Sequence, residues 1–212
     1  MSERPERSYG RRDERPDGEF YSVPRLVKHI DDRAIEEVTR LYREHLPPGG
    51  EVLDLMTSWI SHLPEETIYR RVSGLGMNEE ELERNPRLDE YVIHDLNEDP
   101  ALPYADDEFD AAAICVSVDY LTRPVEVLRD LGRVVRPGGP LVVTFSNRCF
   151  PTKVVSEWLE RDDRGRLRLV EDYLHRAGDW HEIQSLDRSP RHPFADPLYA
   201  VVARSGGAPE RR

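Results

Sequence analysis

The sequence predicts an α/β fold: a doubly wound, mostly parallel seven-stranded sheet ending in an antiparallel C-terminal strand pair. Three observations carry that prediction. Short apolar runs alternate along the chain with helical stripes, the pattern of strand–helix repeats. The run Phe109 to Val118 is almost continuously apolar, as a strand covered on both faces of a parallel sheet must be. The last two apolar runs are joined by a Pro-rich loop without a helix, so they read as an antiparallel pair. At 212 residues, 38% of them hydrophobic, the chain suits one domain with a sizeable core. That domain is expected over residues 20–204. A disordered tail is expected at 1–19, where Arg, Glu, Asp, Pro and Gly mix without periodicity, and a flexible tail at 205–212.

Ile35, Val38, Leu41, Tyr42 and Leu46 recur at helical spacing, with Asp31 placed to cap the helix. Pro47-Pro48-Gly49-Gly50 stops it. Glu51 to Met56 reads as the first strand and Arg71 to Leu75 as a weaker second. Asn78 with Glu81 three residues on predicts a cap and capping box for a helix from Glu79 to Asn85. Tyr91-Val92-Ile93 is the third strand, ending at Asp95. After the long apolar fourth strand, Val127, Leu128, Leu131, Val134 and Val135 form a helical stripe, ended by Arg136-Pro137-Gly138-Gly139. Pro140 to Phe145 is the fifth strand. Helices are expected near Val154 to Glu160 and Leu167 to Ala177, and the last strands near Trp180 to Leu186 and Leu198 to Ala203.

The formal charge of −12 weighs against a surface that coats nucleic acid, because phosphates are repelled at long range. No apolar run approaches the roughly 18–20 residues that span a bilayer, and the charged N-terminus lacks a signal-peptide core, so a cytoplasmic protein is expected. Cys115 and Cys149 are too few and too far apart for a disulfide framework, and no His-x-x-x-His pair exists. No metal site is expected. The oligomeric state is left open.

Two motifs narrow the reading. The first is Leu102-Pro103-Tyr104-Ala105-Asp106-Asp107-Glu108-Phe109-Asp110. The second, about thirty residues on with a helix between, is Val134-Val135-Arg136-Pro137-Gly138-Gly139-Pro140-Leu141. Together with the order of elements they resemble the class I S-adenosylmethionine (SAM)-dependent methyltransferases, in the branch known as methyltransferase type 11. The resemblance runs from about Val52 to Phe145 and extends through the closing strands to about Arg204. It implies a Rossmann-like sheet, SAM as cofactor and methyl transfer as the reaction. The blocks Leu53 to Pro64, Gly74 to Leu82 and Ser146 to Lys153 are similar to those of a methyltransferase-like subgroup with a glycine-poor first motif.

The resemblance also implies site residues. In the family an acidic residue and a glycine-rich turn follow strand one; here Asp54 keeps the acid, while Met56, Thr57, Ser58, Trp59 and Ile60 form a turn without glycine. Glycine in such a turn permits unusual backbone angles and close ligand approach. The ribose-holding acid that closes strand two is replaced by Gly76-Met77-Asn78, with Asn78 as the polar substitute. Asp95 and Leu96 match the acidic side chain and backbone N–H that read the adenine edge, and Ser117 falls at the end of strand four.

Trp59 is positioned to stack on adenine or meet the sulfonium by cation–π attraction, with core packing as the simpler role. His62, as a histidine, belongs to the residue type able to titrate near neutrality and is a candidate general base, against a purely structural role. Tyr21, Arg25 and His29 fall at i, i+4 and i+8 in a segment that would lie over the cofactor as a lid. Arg25 there would grip a carboxylate, and His29 is a second candidate base. Asn147 and Arg148 follow strand five beside the expected acceptor pocket. The expected function is SAM-dependent methyl transfer to an unidentified small-molecule acceptor. The alternative is a non-catalytic methyltransferase-like binding protein with an atypical or lost SAM site. A dinucleotide-dependent oxidoreductase ranks behind both, because no Gly-x-Gly-x-x-Gly follows the first strand. If Met56 and Ile60 fill the space beyond the strand ends, the enzyme reading falls.

Overall fold

The computed structural model describes residues 9–206. Its seven strands are β1 Glu51–Leu55, β2 Arg71–Gly76, β3 Glu90–Ile93, β4 Ala111–Cys115, β5 Pro140–Phe145, β6 Trp180–Asp187 and β7 Tyr199–Ser205. They form one sheet in the order β3-β2-β1-β4-β5-β7-β6. Strands β1 to β5 pair in parallel, and β7 runs antiparallel to both β5 and β6. The expected fold class is the observed one.

Period-two alternation divides the core into two layers. Leu53, Leu55, Ala112, Ile114, Leu141 and Val143 face the helices α4 (Pro124–Val134) and α6 (Asp163–Ala177). Val52, Val72, Ala111, Ala113 and Val142 face α2 (Asp32–His45). Each fully buried Leu, Ile or Val side chain contributes about 1.5–3 kcal/mol, so both faces of the sheet are strongly covered.

The caps behave largely as the sequence suggests. Asp31 accepts the Ala34 N–H at the start of α2, and Asn78 accepts the Glu81 N–H at the start of α3 (Glu79–Glu83). The capping box closes only on that side. The Glu81 carboxylate instead accepts the Arg25 N–H at 2.6 Å. Helix α3 stops short of Asn85, since a residue before proline, here Pro86, avoids the helical region. Helix α6 starts four residues earlier than its apolar stripe, because Asp162 caps it through the Gly165 N–H.

Two regions depart from expectation. Residues 1–8 of the expected N-terminal tail lie outside the described residues, but residues 9–19 are packed against the body. Gly10 O accepts from Ser156 N and Oγ, Asp13 N donates to Thr152 O, and Lys153 Nζ donates to Arg15 O. A short helix, α1, follows at Asp17–Phe20. This segment shows no hydrophobic period because ion pairs and backbone hydrogen bonds anchor it, not an apolar face. At the other end Ser205, expected in the tail, closes β7 and donates to the Gly132 and Val135 carbonyls; residues 207–212 lie outside the described part. The crossover from β1 to β2, residues 56–70, contains no helix, in keeping with the loop read there from the sequence. Among the described residues no helix is long and apolar enough to cross a membrane.

Candidate functional site

The sheet order turns outward in both directions from the β1–β4 pair, and in open α/β sheets a crevice forms beyond the carboxyl ends at that point. A cleft of about 1130 Å³, counting its open mouth, occupies this place. One half is built from strand-end loops: Met56, Thr57, Ser58 and Ile60 after β1, Gly76, Met77 and Asn78 at β2, Asp95, Leu96 and Asn97 after β3, Ser117 after β4. The other half is the N-terminal strap, which brings Asp17, Tyr21, Arg25 and His29, with Tyr120 and Phe150 completing the wall. Met56 and Ile60 are part of the wall and leave the space open.

The loop after β1 reaches its shape without glycine. In it Met56 has φ 58° and His62 φ 55°, and Val116, just after β4, has φ 44°; all three line the cleft. A non-glycine residue held in this left-handed region costs on the order of 1–3 kcal/mol, and such residues cluster at functional sites. Surrounding hydrogen bonds hold the loop there. Thr57 N donates to Leu75 O, and Asn85 Nδ2 bridges Ser58 O and Ser61 Oγ. A Cβ at Gly76 would sit 2.5 Å from the Thr57 carbonyl. Glycine at this position therefore admits the β1 loop; the expected close approach of a ribose is not what demands it.

Four residues expected in the site stand elsewhere. Asp54 shares the α2 face with Val52, so its carboxyl, 2% exposed, lies behind the loop and off the cleft wall. Burial pushes its pKa up to about 6, opposed by the Ser61 and Thr57 hydroxyls, and Oδ2 has no partner. Trp59 does not line the cleft; its indole N–H donates to Val27 O of the strap at 3.1 Å. Asn147 and Arg148 are exposed, and Arg148 Nε binds Asp196 at 2.7 Å. Ser146 Oγ donates to Pro197 O, which turns these two toward the β6–β7 loop, and Phe150 reaches the cleft instead.

The remaining expected residues do converge. Asn78 lines the cleft, though its Nδ2 donates to Tyr21 O of the strap at 2.8 Å and its Oδ1 caps α3. Asp95 Oδ1 accepts the Asn97 N–H at 2.9 Å. Ser117 Oγ is buried on the wall without a hydrogen-bond partner. The pKa of His62 is pushed down to about 4, first by burial and then by Lys28 and His29, and its buried Nδ1 has no partner. His29 is shifted down by burial and Arg25, and it packs edge-on against Phe150 at 5.4 Å.

Sequence reasoning missed the clamp that seats the strap. Asp17, 5% exposed, accepts Arg11 Nη1 on both oxygens at 2.7 Å, Asn97 Nδ2 at 2.8 Å, and pairs with Lys153 Nζ at 3.0 Å. Lys153 is fully buried and is one of two lysines in the chain. That rarity, inside the Ser146 to Lys153 block, was the one available signal. Tyr120 and Phe150 carried none, since an aromatic residue beside a strand reads as core.

Compared with known proteins, the chain matches the methyltransferase domain family over residues 57–143. It is 35% identical over 137 residues to methyltransferase GfsG of Streptomyces halstedii, a match covering 58% of this chain and 48% of that protein. The chain thus spans about half the length of that relative. It is 26% identical over 206 residues to the ubiquinone/menaquinone biosynthesis C-methyltransferase UbiE of Legionella pneumophila (strain Lens), covering 88% of this chain and 80% of that protein. The crystal structure of the [4+2]-cyclase SpnF shares the fold, with a TM-score of 0.59 at 18% identity, over 80% of this chain and 81% of that one.

Proposed function

We propose that this chain, which matches the methyltransferase domain family over residues 57–143, binds SAM in the cleft and transfers a methyl group to a small-molecule acceptor. One observation carries the proposal: the ends of β1 to β4 border an open cleft, with Met56 and Ile60 in its wall. The residues present suit an adenosyl ligand. Ser117 Oγ is a buried polar atom in want of a partner, and Asp95, Leu96, Met77 and the Met56–Ser58 loop surround the same space. When bound, SAM supplies a methyl group already activated by its sulfonium.

The chain's own task is then alignment and exclusion of water. The strap covers the strand ends, and Arg25, whose guanidinium donates to the Val23 and Phe20 carbonyls, lines the cleft where its remaining N–H groups can meet a carboxylate. His62 is neutral above about pH 4 and holds an unpartnered Nδ1 beside the cleft. It is the residue that accepts a proton from an acceptor needing activation. The net charge of −12 favours a small molecule over nucleic acid. Calorimetry with SAM and S-adenosylhomocysteine tests this reading: saturable heat is expected, and none up to millimolar ligand overturns it.

A second reading, ligand binding without transfer, draws support from Asn78 and Trp59. Both commit polar groups to the strap that the family would turn to the cofactor. It predicts binding with no label passing from methyl-labelled SAM to any acceptor.

A further inference from the structure

The half of the cleft opposite the strand-end loops is an aromatic wall, with a hydroxyl donor at Tyr120 and the Arg25 guanidinium in it; Phe20 and the buried Lys153 lie behind that wall. The Phe150 ring meets Phe20 at 5.5 Å and 70°, His29 at 5.4 Å and 83°, and Tyr120 at 5.9 Å. Tyr120 lines the cleft, and its hydroxyl oxygen accepts the Phe150 N–H at 2.8 Å. A phenolic O–H lies near the ring plane, in one of two directions. The Phe150 amide takes one of them, so the proton takes the other, and no acceptor for it exists among the described residues. Burial and the nearby Asp119 carboxyl hold Tyr120 protonated. It is a donor with nothing to donate to.

The aromatic faces are already served by positive charge. The Arg25 guanidinium stands 4.2 Å from the centre of Phe20 and 5.5 Å from that of Phe150, and Lys153 Nζ lies 5.5 Å from Phe20. Of the acidic residues beside this wall, Asp17 is matched by Arg11 and Lys153, and the Glu81 carboxylate accepts the Arg25 N–H. An ammonium entering here meets like charge where a free aromatic cage would have welcomed it. An oxygen lone pair meets an unpaired O–H and a guanidinium.

We propose that the acceptor is a flat, oxygen-bearing molecule, a carbonyl, enol or phenol, and that Tyr120 selects it by donating its O–H to that oxygen. Amine acceptors are disfavoured by the same wall. This rests on the reading of the cleft as a methyl-transfer site, and its test is separable from that reading.

Ligand-observed NMR on the full chain, with and without saturating S-adenosylhomocysteine, compares three probes of one carbon skeleton: acetophenone, ethylbenzene and 1-phenylethylamine. Acetophenone is expected to bind roughly three- to tenfold more tightly than ethylbenzene, the yield of one neutral hydrogen bond, and the amine most weakly. Tyr120→Phe, which keeps the ring, is expected to bring acetophenone down to ethylbenzene, with the circular dichroism spectrum unchanged. The proposal is overturned if the amine binds as well as acetophenone, if none of the probes binds, or if Tyr120→Phe leaves the preference intact. The wild-type series decides the oxygen-over-amine claim even if that variant misfolds. Absence of S-adenosylhomocysteine binding strikes the cofactor reading alone, because the series is also run without it.

Discussion

His62 and Asp119 show how burial, more than any neighbouring charge, shifts titration at single residues. His62 has its pKa lowered to about 4, so its ring is unprotonated, though a weak base, across the neutral range. The acid limb of kcat/KM is therefore expected near pH 4, well below the usual histidine value, and His62→Ala is expected to lower kcat by about 10²- to 10⁴-fold. A limb near 6.5 or an unchanged turnover removes it from the mechanism. Between about pH 4 and its unfolded value, 6.5, only the unfolded chain binds this proton, so His62 erodes stability as pH falls through that window. Asp119 works in the opposite sense. It is buried with Oδ2 unpartnered, and burial raises its pKa to about 7. Its neutral form is favoured in the fold, so stability is lost as pH rises from about 3.8 through 7. Asp119→Asn should gain roughly 1–3 kcal/mol over wild type at pH 8 and less than half as much at pH 5, by urea denaturation at both.

At the scale of elements, the β1 loop and the strap are built from hydrogen bonds rather than apolar packing. Gly76→Ala would drive a methyl into the Thr57 carbonyl, which lines the cleft floor together with Met56. The expected outcome is at least tenfold weaker S-adenosylhomocysteine binding by calorimetry, with the sheet intact by circular dichroism. The strap depends on its clamp. Lys153→Met removes the buried ammonium that meets Asp17 and Arg15 O, and should cost roughly 1–3 kcal/mol. Hydrogen exchange should then accelerate at the amides of residues 13–22 and not in β4 or β5. Acceleration spread evenly over the sheet would show that Lys153 supports the whole fold and not the strap.

Across the whole molecule, an ion-pair network and the proposed binding cleft sit at opposite ends of one sheet. At the amino ends of the strands, Arg71 reaches Glu51, Glu90 and Glu108, while Arg136 reaches Glu51 and Asp110. The strained backbone of Met56, His62 and Val116 lies at the carboxyl ends. Ligand binding there should be linked to global unfolding: S-adenosylhomocysteine at a hundred times its Kd is expected to add about 2.7 kcal/mol, read as a raised Tm. The sequence by itself determined the seven strands, their alternation with helices and the antiparallel close, because hydrophobic period and helix caps are local and repeat within a few residues. It also determined that the loops after β1, β2 and β3 would meet, since a wound parallel sheet brings those ends together. It did not determine what each side chain there would touch. Asp54 turned behind the loop by the alternation of its strand, Trp59 and Asn78 took the strap's carbonyls, and residues 9–19 were ordered by partners over a hundred positions away. Only the tertiary structure decided those pairings, because a hydrogen bond between distant segments leaves no period in either of them.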